Sequence, residues 1–163
     1  MEKLDWSRFT KRISINKQQK DIYEFFLTQE NFEKWFLSKA VFVNRSGDKK
    51  EKHIKIEKGD KYVWMWYGSD NIAEGEILEL NYQNNVKFTF LDCIVEMTIK
   101  TEENENVVEL VQSEIPLDEN SRMNYFVGCS RGWTFYLSNL KSILEGGIDL
   151  RNRNKKLTNV INT

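Results

Sequence analysis

The sequence predicts an α+β protein: a helix-grip fold in which a curved antiparallel sheet of about six or seven strands wraps around a long C-terminal helix. Three observations predict it. Apolar residues alternate with a period of two over most of the stretch from Ala40 to Ser113, the pattern of strands. Two short stretches of helical period sit ahead of that block, between its first strand and the rest. One long helical stretch closes the chain, and strands grouped together before a helix indicate α+β architecture in place of alternating βαβ units.

The first strand is Arg8 to Ile15, with Phe9, Ile13 and Ile15 on one face and Thr10, Arg12 and Ser14 on the other. Asn16 followed by Gln19 reads as an N-cap with a capping-box variant, opening a helix over Lys17 to Leu27 that carries Ile22, Phe25 and Phe26 on its buried side. Thr28 caps a second short helix through Phe36, with Phe32, Trp35 and Phe36 at i, i+3 and i+4.

Ala40 to Asn44 is a short strand, and the charged run Arg45 to Asp60 is a loop or a solvated hairpin arm. Lys61 to Tyr67 places Tyr62, Trp64 and Trp66 on one face and Val63 and Met65 on the other. A strand apolar on both faces is expected to be covered on both sides or to line a cavity. Asn71 to Leu80 follows, with Gly75 inside it as the expected place of a bulge or a close backbone approach.

Beyond the turn Tyr82 to Asn85, three strands present Val86, Phe88 and Phe90, then Val95, Met97 and Ile99, then Val108, Leu110 and Gln112 to the inside. The cluster Thr101 to Asn106 is the hairpin turn between the last two, and Pro116 ends the sheet. The last helix runs from Ser121 to Glu145, about 36 Å at 1.5 Å per residue, and Gly146-Gly147 stops it.

Length and composition bound the function. The chain of 163 residues is expected to be one domain over 1–150 with a polar, Asn-rich tail over 151–163. Ten Phe, six Tyr and five Trp stand against a single histidine, His53, and two cysteines far apart in sequence. That set lacks the clustered ligands of zinc or iron sites, and His53 lies in the solvated run KKEKHIKIEK. Cys93 and Cys129 lack a CxxC neighbour and read as small apolar fillers. Glycine-rich nucleotide loops are absent from the sequence, and no cofactor is expected.

The N-terminal MEKLDWSRF has no apolar core of a secretory signal, and no apolar run reaches the ~20 residues of a membrane span, so a cytoplasmic protein is expected. Net charge is −1, which gives no case for a nucleic-acid partner. Acidic residues dominate from Glu74 to Glu119, where Lys87 and Lys100 are the only cations. Such a face is either the wet side of the sheet or a surface for a protein partner.

Six stretches carry a family resemblance: FEKWF (32–36), GDKYVWMW (59–66), AEGEILEL (73–80), VKFTF (86–90), VELVQSEIP (108–116) and GWTFYLSNLKSIL (132–144). Their order resembles the START-like superfamily, which includes the birch-pollen-allergen proteins and polyketide cyclases. Within it the chain resembles the family named after the C-terminal domain of the activator of the ninety-kilodalton heat-shock-protein ATPase. The resemblance implies a hydrophobic cavity between the sheet and the long helix.

The candidate cavity-lining residues are Trp35, Tyr62, Trp64, Trp66, Phe88, Phe90, Met97, Leu110, Gln112, Trp133 and Tyr136. Rigid aromatics with a few polar groups such as Gln112 suit non-catalytic binding of a small hydrophobic molecule or lipid. The alternative is a protein-interaction module, a chaperone accessory or stress-related co-chaperone-like protein. Catalysis is the weakest reading, because the strand carboxylates Glu74, Glu76, Glu96 and Glu109 fall mostly on the wet face. Gly128 and Gly132 are expected to let the last helix approach the sheet or a ligand closely.

Overall fold

The computed structural model describes residues 4–157, 160 and 161. Its strands are β1 (Phe9–Ile15), β2 (Lys39–Val43), β3 (Lys61–Met65), β4 (Ile72–Leu80), β5 (Asn85–Phe90), β6 (Cys93–Glu102) and β7 (Glu105–Ser113). Two short helices, α1 (Gln19–Glu24) and α2 (Gln29–Trp35), lie between β1 and β2. After β7 come the single turn α3 (Glu119–Ser121), a π-helical segment Arg122–Gly128 and the long helix α4 (Cys129–Leu144).

The seven strands form one antiparallel sheet in the order β1-β7-β6-β5-β4-β3-β2. Every strand from β2 to β7 pairs with its sequence neighbour, and only the α1–α2 connection crosses from one edge to the other. The β6–β7 turn is Glu103-Asn104, both at positive φ (47° and 65°), the backbone that matches the twist of a two-residue hairpin.

Inward residues of β5, β6 and β7, among them Val86, Phe88, Val95, Met97, Ile99, Val108 and Leu110, are fully buried. Against them α4 buries Trp133, Tyr136, Leu137, Leu140 and Leu144, the spacing of one helical stripe. A Schellman motif ends α4: Gly147 N–H donates to the Ser142 carbonyl (2.7 Å) and Gly146 N–H to that of Ile143 (3.3 Å), with Gly146 at φ +83°.

Several expectations need correction. Asn16 is not the cap of α1: that position is Gln18, without a side-chain cap, and the Asn16 N–H instead donates to Glu145 Oε1. α1 therefore covers only Gln19–Glu24 in place of Lys17 to Leu27. Thr28 does cap α2, accepting from Asn31 N–H at 3.1 Å. The final helix is not uniformly α-helical, since its seven residues Arg122–Gly128 are π-wound. Of the two settings expected for Lys61 to Tyr67, double cover is absent, since Tyr62 and Trp64 are buried inward whereas Val63 and Met65 are half-buried on the outer face, but Trp66 of the same stretch does line a cleft.

The edge strand β2 is blunted by its own chain. Ala40 N–H donates to Glu33 Oε1, and Phe42 O accepts from Lys50 N–H. The loop 44–60 is pinned by Ile56, which is fully buried and donates to Leu27 O. His53 is exposed.

The segment assigned to the tail is docked at its start. Arg151 is buried, and its guanidinium donates to the carbonyls of Glu33, Lys34 and Leu37 at the end of α2 and to Asp149. Tail residues 158, 159, 162 and 163 lie outside the described residues.

Candidate ligand-binding cleft

The cleft follows from an irregularity in β4. Its register to β5 covers only Ile77–Leu80 against Val86–Phe88, with a shift between Ile77 and Glu79. The bulge thus lies two residues past Gly75, and Gly75 itself is a site of close approach. Gly75 sits opposite Tyr62 on β3, and a Cβ there would stand 2.5 Å from Tyr62 Cζ and 2.7 Å from Thr89 Oγ1. The missing side chain lets the Tyr62 ring lie across the gap, where its hydroxyl donates to Thr89 O. Glu76 N–H donates to Thr89 Oγ1 at 2.9 Å, so a side chain replaces the regular ladder. The first half of β4 is thereby held apart from the end of β5.

The helix opposite this opening is shaped to match. Gly128 and Gly132, four residues apart, fall on the side of the helix that lines the cleft. Apart from its chain neighbours and the adjoining helix backbone, no heavy atom of the described residues lies within 4 Å of where a Cβ of Gly132 would stand. The π-wound turns just before this point widen the helix, a feature frequent at functional sites.

Between split strands and helix lies an open-mouthed cleft of about 350 Å³. Its aromatic walls are Phe36, Trp66, Phe90, Trp133 and Tyr136. Phe36 stacks on Trp133 (4.8 Å, 25°) and meets Tyr136 edge-on (4.9 Å), while Phe90 packs on Trp133 at 5.4 Å. Ile72 and Leu91, both exposed, stand at the mouth, and Leu91 has φ +54°, a strained backbone for a bulky residue. The polar groups are Ser69, Asn71, the Cys129 thiol and the Tyr136 hydroxyl.

Those two titratable groups stay protonated. Burial pushes Tyr136 up to about 12, against a small opposing pull from Arg151. Burial likewise pushes Cys129 up to about 11, against the Gln112 side chain, which favours the thiolate. Burial raises Cys93 too, and it abuts the same Gln112 amide. Both cysteines are thiols in an apolar setting, without the electropositive surroundings of reactive ones.

Of the sequence-derived candidates, Trp66, Phe90, Trp133 and Tyr136 meet at this cleft. Trp35, Trp64, Phe88, Met97 and Leu110 are instead buried in the packed core and do not line it. Tyr62 plugs the strand gap. Gln112 is fully buried, where its Oε1 accepts from the Trp133 indole. Inward parity selects core and cleft residues alike, and only the β4 split separates them. Phe36, Ser69, Asn71, Ile72, Ala73, Leu91 and Cys129 are lining residues that sequence reasoning missed. They sit at element ends and turns, where parity carries no signal.

An antiparallel sheet gripping one long helix, with an apolar cleft between them, defines a helix-grip protein of the START-like class. The chain belongs to the family of Activator of Hsp90 ATPase homolog 1-like proteins, which matches residues 17–145. No functionally curated protein matches the sequence.

Solved structures share the fold. Protein SSP2350 from Staphylococcus saprophyticus has a TM-score of 0.69 at 17% identity, over 88% of this chain and 96% of its own. The Aha1 dimer from Colwellia psychrerythraea has a TM-score of 0.65 at 16% identity, over 86% and 97%. DynU16, a putative protein in the dynemicin biosynthetic locus, has a TM-score of 0.66 at 13% identity, over 90% and 50%. At these identities the likeness is one of fold. Among the described residues no helix is long and apolar enough to cross a membrane.

Proposed function

We propose that this protein is a non-catalytic, cytoplasmic binder of a small hydrophobic molecule, held in the cleft between β4, β5 and α4. The observation that carries this reading is the lining: five aromatic side chains around about 350 Å³ of space. A pocket of that volume lies within the range of small-molecule sites, and mostly apolar walls with a few polar groups are their common composition. The lining contains no Asp, Glu, Lys, Arg or His, and its two titratable groups, the Cys129 thiol and the Tyr136 hydroxyl, are both held protonated by burial, a poor provision for acid–base chemistry on a bound molecule.

The test uses the two tryptophans of the wall as reporters. Saturable quenching of tryptophan fluorescence by apolar compounds is expected in the wild type. Gly132→Leu should weaken it at least tenfold without lowering the melting temperature, because the new side chain enters open space from a helix that gains propensity. Absence of saturable quenching across a library of apolar compounds overturns the reading.

A second reading, a protein-interaction module acting as a chaperone accessory, draws on the outer face of the sheet. Glu74 and Glu76 on β4 make no ion pair among the described residues, and they neighbour half-buried Val41, Val63 and Met65 on that face. Exposed carboxylates beside apolar surface suit a partner with a basic face. Titration with a purified chaperone ATPase of the ninety-kilodalton class tests it. Binding that is lost on Glu74→Lys and Glu76→Lys supports it, and no binding by the wild type removes it.

A further inference from the structure

We infer that the cleft takes a compact, neutral molecule of about bicyclic size, whose single hydrogen-bond acceptor, such as a ketone or ester carbonyl, receives the Tyr136 hydroxyl. This deepens, and rests on, the reading of the cleft as a ligand site.

Charge comes first. A charged group entering the cleft would lose hydration and meet no opposite charge in the lining. The nearest buried cation, Arg151, has its donors committed to Asp149 and to the carbonyls of Glu33, Lys34 and Leu37. It has none left for a ligand carboxylate.

Size comes second. At about 30 Å³ per water-sized group, 350 Å³ holds roughly a dozen non-hydrogen atoms. A bicyclic aromatic fills that space. A long acyl chain overruns it and leaves methylenes in water, each forfeiting about 0.8 kcal/mol of burial.

The hydroxyl comes third. Buried tyrosines ordinarily find a hydrogen-bond partner. Tyr23 donates to Asn85 O at 2.7 Å, and Tyr62 donates to Thr89 O. Tyr136 is also buried and lines the cleft, yet among the described residues its hydroxyl has no partner. Of the other indoles near the wall, Trp133 is committed to Gln112, Trp64 sits behind the wall against Phe36 and Phe90 and does not line the cleft, and Trp66, which lines the cleft without a partner among the described residues, is half-buried. Tyr136 is therefore the buried aromatic donor of the lining that is left for a ligand.

The experiment compares 2-acetylnaphthalene with 2-isopropenylnaphthalene, which keeps the shape but replaces the carbonyl oxygen by a methylene. Sodium 2-naphthoate and palmitate are the charged and long-chain controls. Each is titrated by tryptophan fluorescence into wild type and Tyr136→Phe. In wild type the ketone should bind about fivefold more tightly than the alkene, the worth of one neutral hydrogen bond. The two should bind alike in Tyr136→Phe, and naphthoate and palmitate should bind at least tenfold more weakly than the ketone. Equal binding of ketone and alkene in wild type overturns the inference and leaves the ligand site standing. So does a ketone preference that survives in Tyr136→Phe, or naphthoate or palmitate binding as tightly as the ketone. No saturable binding of any of the four probes overturns the ligand-site reading, and this inference with it.

Discussion

The indole N–H of Trp133 donates to Oε1 of Gln112 at 2.9 Å, with both side chains buried between α4 and β7. The same amide reaches the other way, from Nε2 to Tyr125 O at 3.4 Å, in the π-helical segment. One side chain thus ties the sheet to both parts of the last helix. Gln112→Leu leaves the indole N–H without its acceptor. The expected loss is about 1–3 kcal/mol in urea unfolding, the cost of a buried polar group left unpaired. Trp133→Phe should then cost less in the Gln112→Leu background than in wild type. Strict additivity of the two changes would show that the pair is not coupled.

Arg151 closes the other end of the structure. The last carbonyls of a helix have no intrahelical partner, and α2 gives two such groups, on Glu33 and Lys34, to one guanidinium, which also takes the carbonyl of Leu37 just beyond the helix. Lysine has three donors on a point charge and cannot reproduce that fork. Arg151→Met should destabilise the protein by about 3 kcal/mol, and Arg151→Lys should recover only part of that. A chain ending at residue 150 should show the same loss in thermal melting, whereas one ending at residue 154 should not.

Asp149 gives this clamp a pH dependence. Burial opposes ionisation of its carboxyl, but hydrogen bonds from the Arg151 side chain and backbone and from Arg153 outweigh it and hold the group well below the ordinary aspartate value. A depressed folded-state pKa stabilises above the unfolded value of about 3.9 and loses that contribution as pH falls through the window below it. The stability difference between wild type and Asp149→Asn should therefore be constant from about pH 6 to 8 and shrink below about pH 4. A difference that does not change between pH 6 and pH 3 would contradict the assignment.

The architecture was legible because each strand alternates over enough residues to fix its faces. Val86, Phe88 and Phe90 or Val95, Met97 and Ile99 leave one register open to a half-wet sheet. The long stripe from Trp133 to Leu144 did the same for α4. The cleft was half legible. Aromatics converge on the space between sheet and helix, but parity does not distinguish Trp64, sealed behind Phe36, from Trp66, which lines the opening. That distinction depends on a register shift three residues wide, between Ile77 and Glu79, which no local pattern encodes. The π-winding of Arg122–Gly128 is equally silent, since Tyr125 and Phe126 suit either winding.

Gly75 offers the sharpest test of how the cleft is held open. Its lack of a side chain is what admits the Tyr62 ring between β4 and β5, and a methyl group there would meet the ring and Thr89 Oγ1 inside contact distance. Neither neighbour yields easily, because Tyr62 is buried and stacked on Trp64 at 3.7 Å. Gly75→Ala should therefore cost about 1–3 kcal/mol, as overpacking does in a filled interior. The same substitution in a Tyr62→Val background should cost far less, because the shorter side chain leaves the space free. If Gly75 served only as a flexible point in the strand, alanine would cost the same in both backgrounds, so the double-mutant cycle separates the two accounts. Tyr62→Val alone removes the bond to Thr89 O, and it should weaken binding of apolar probes in the cleft as β4 closes toward β5.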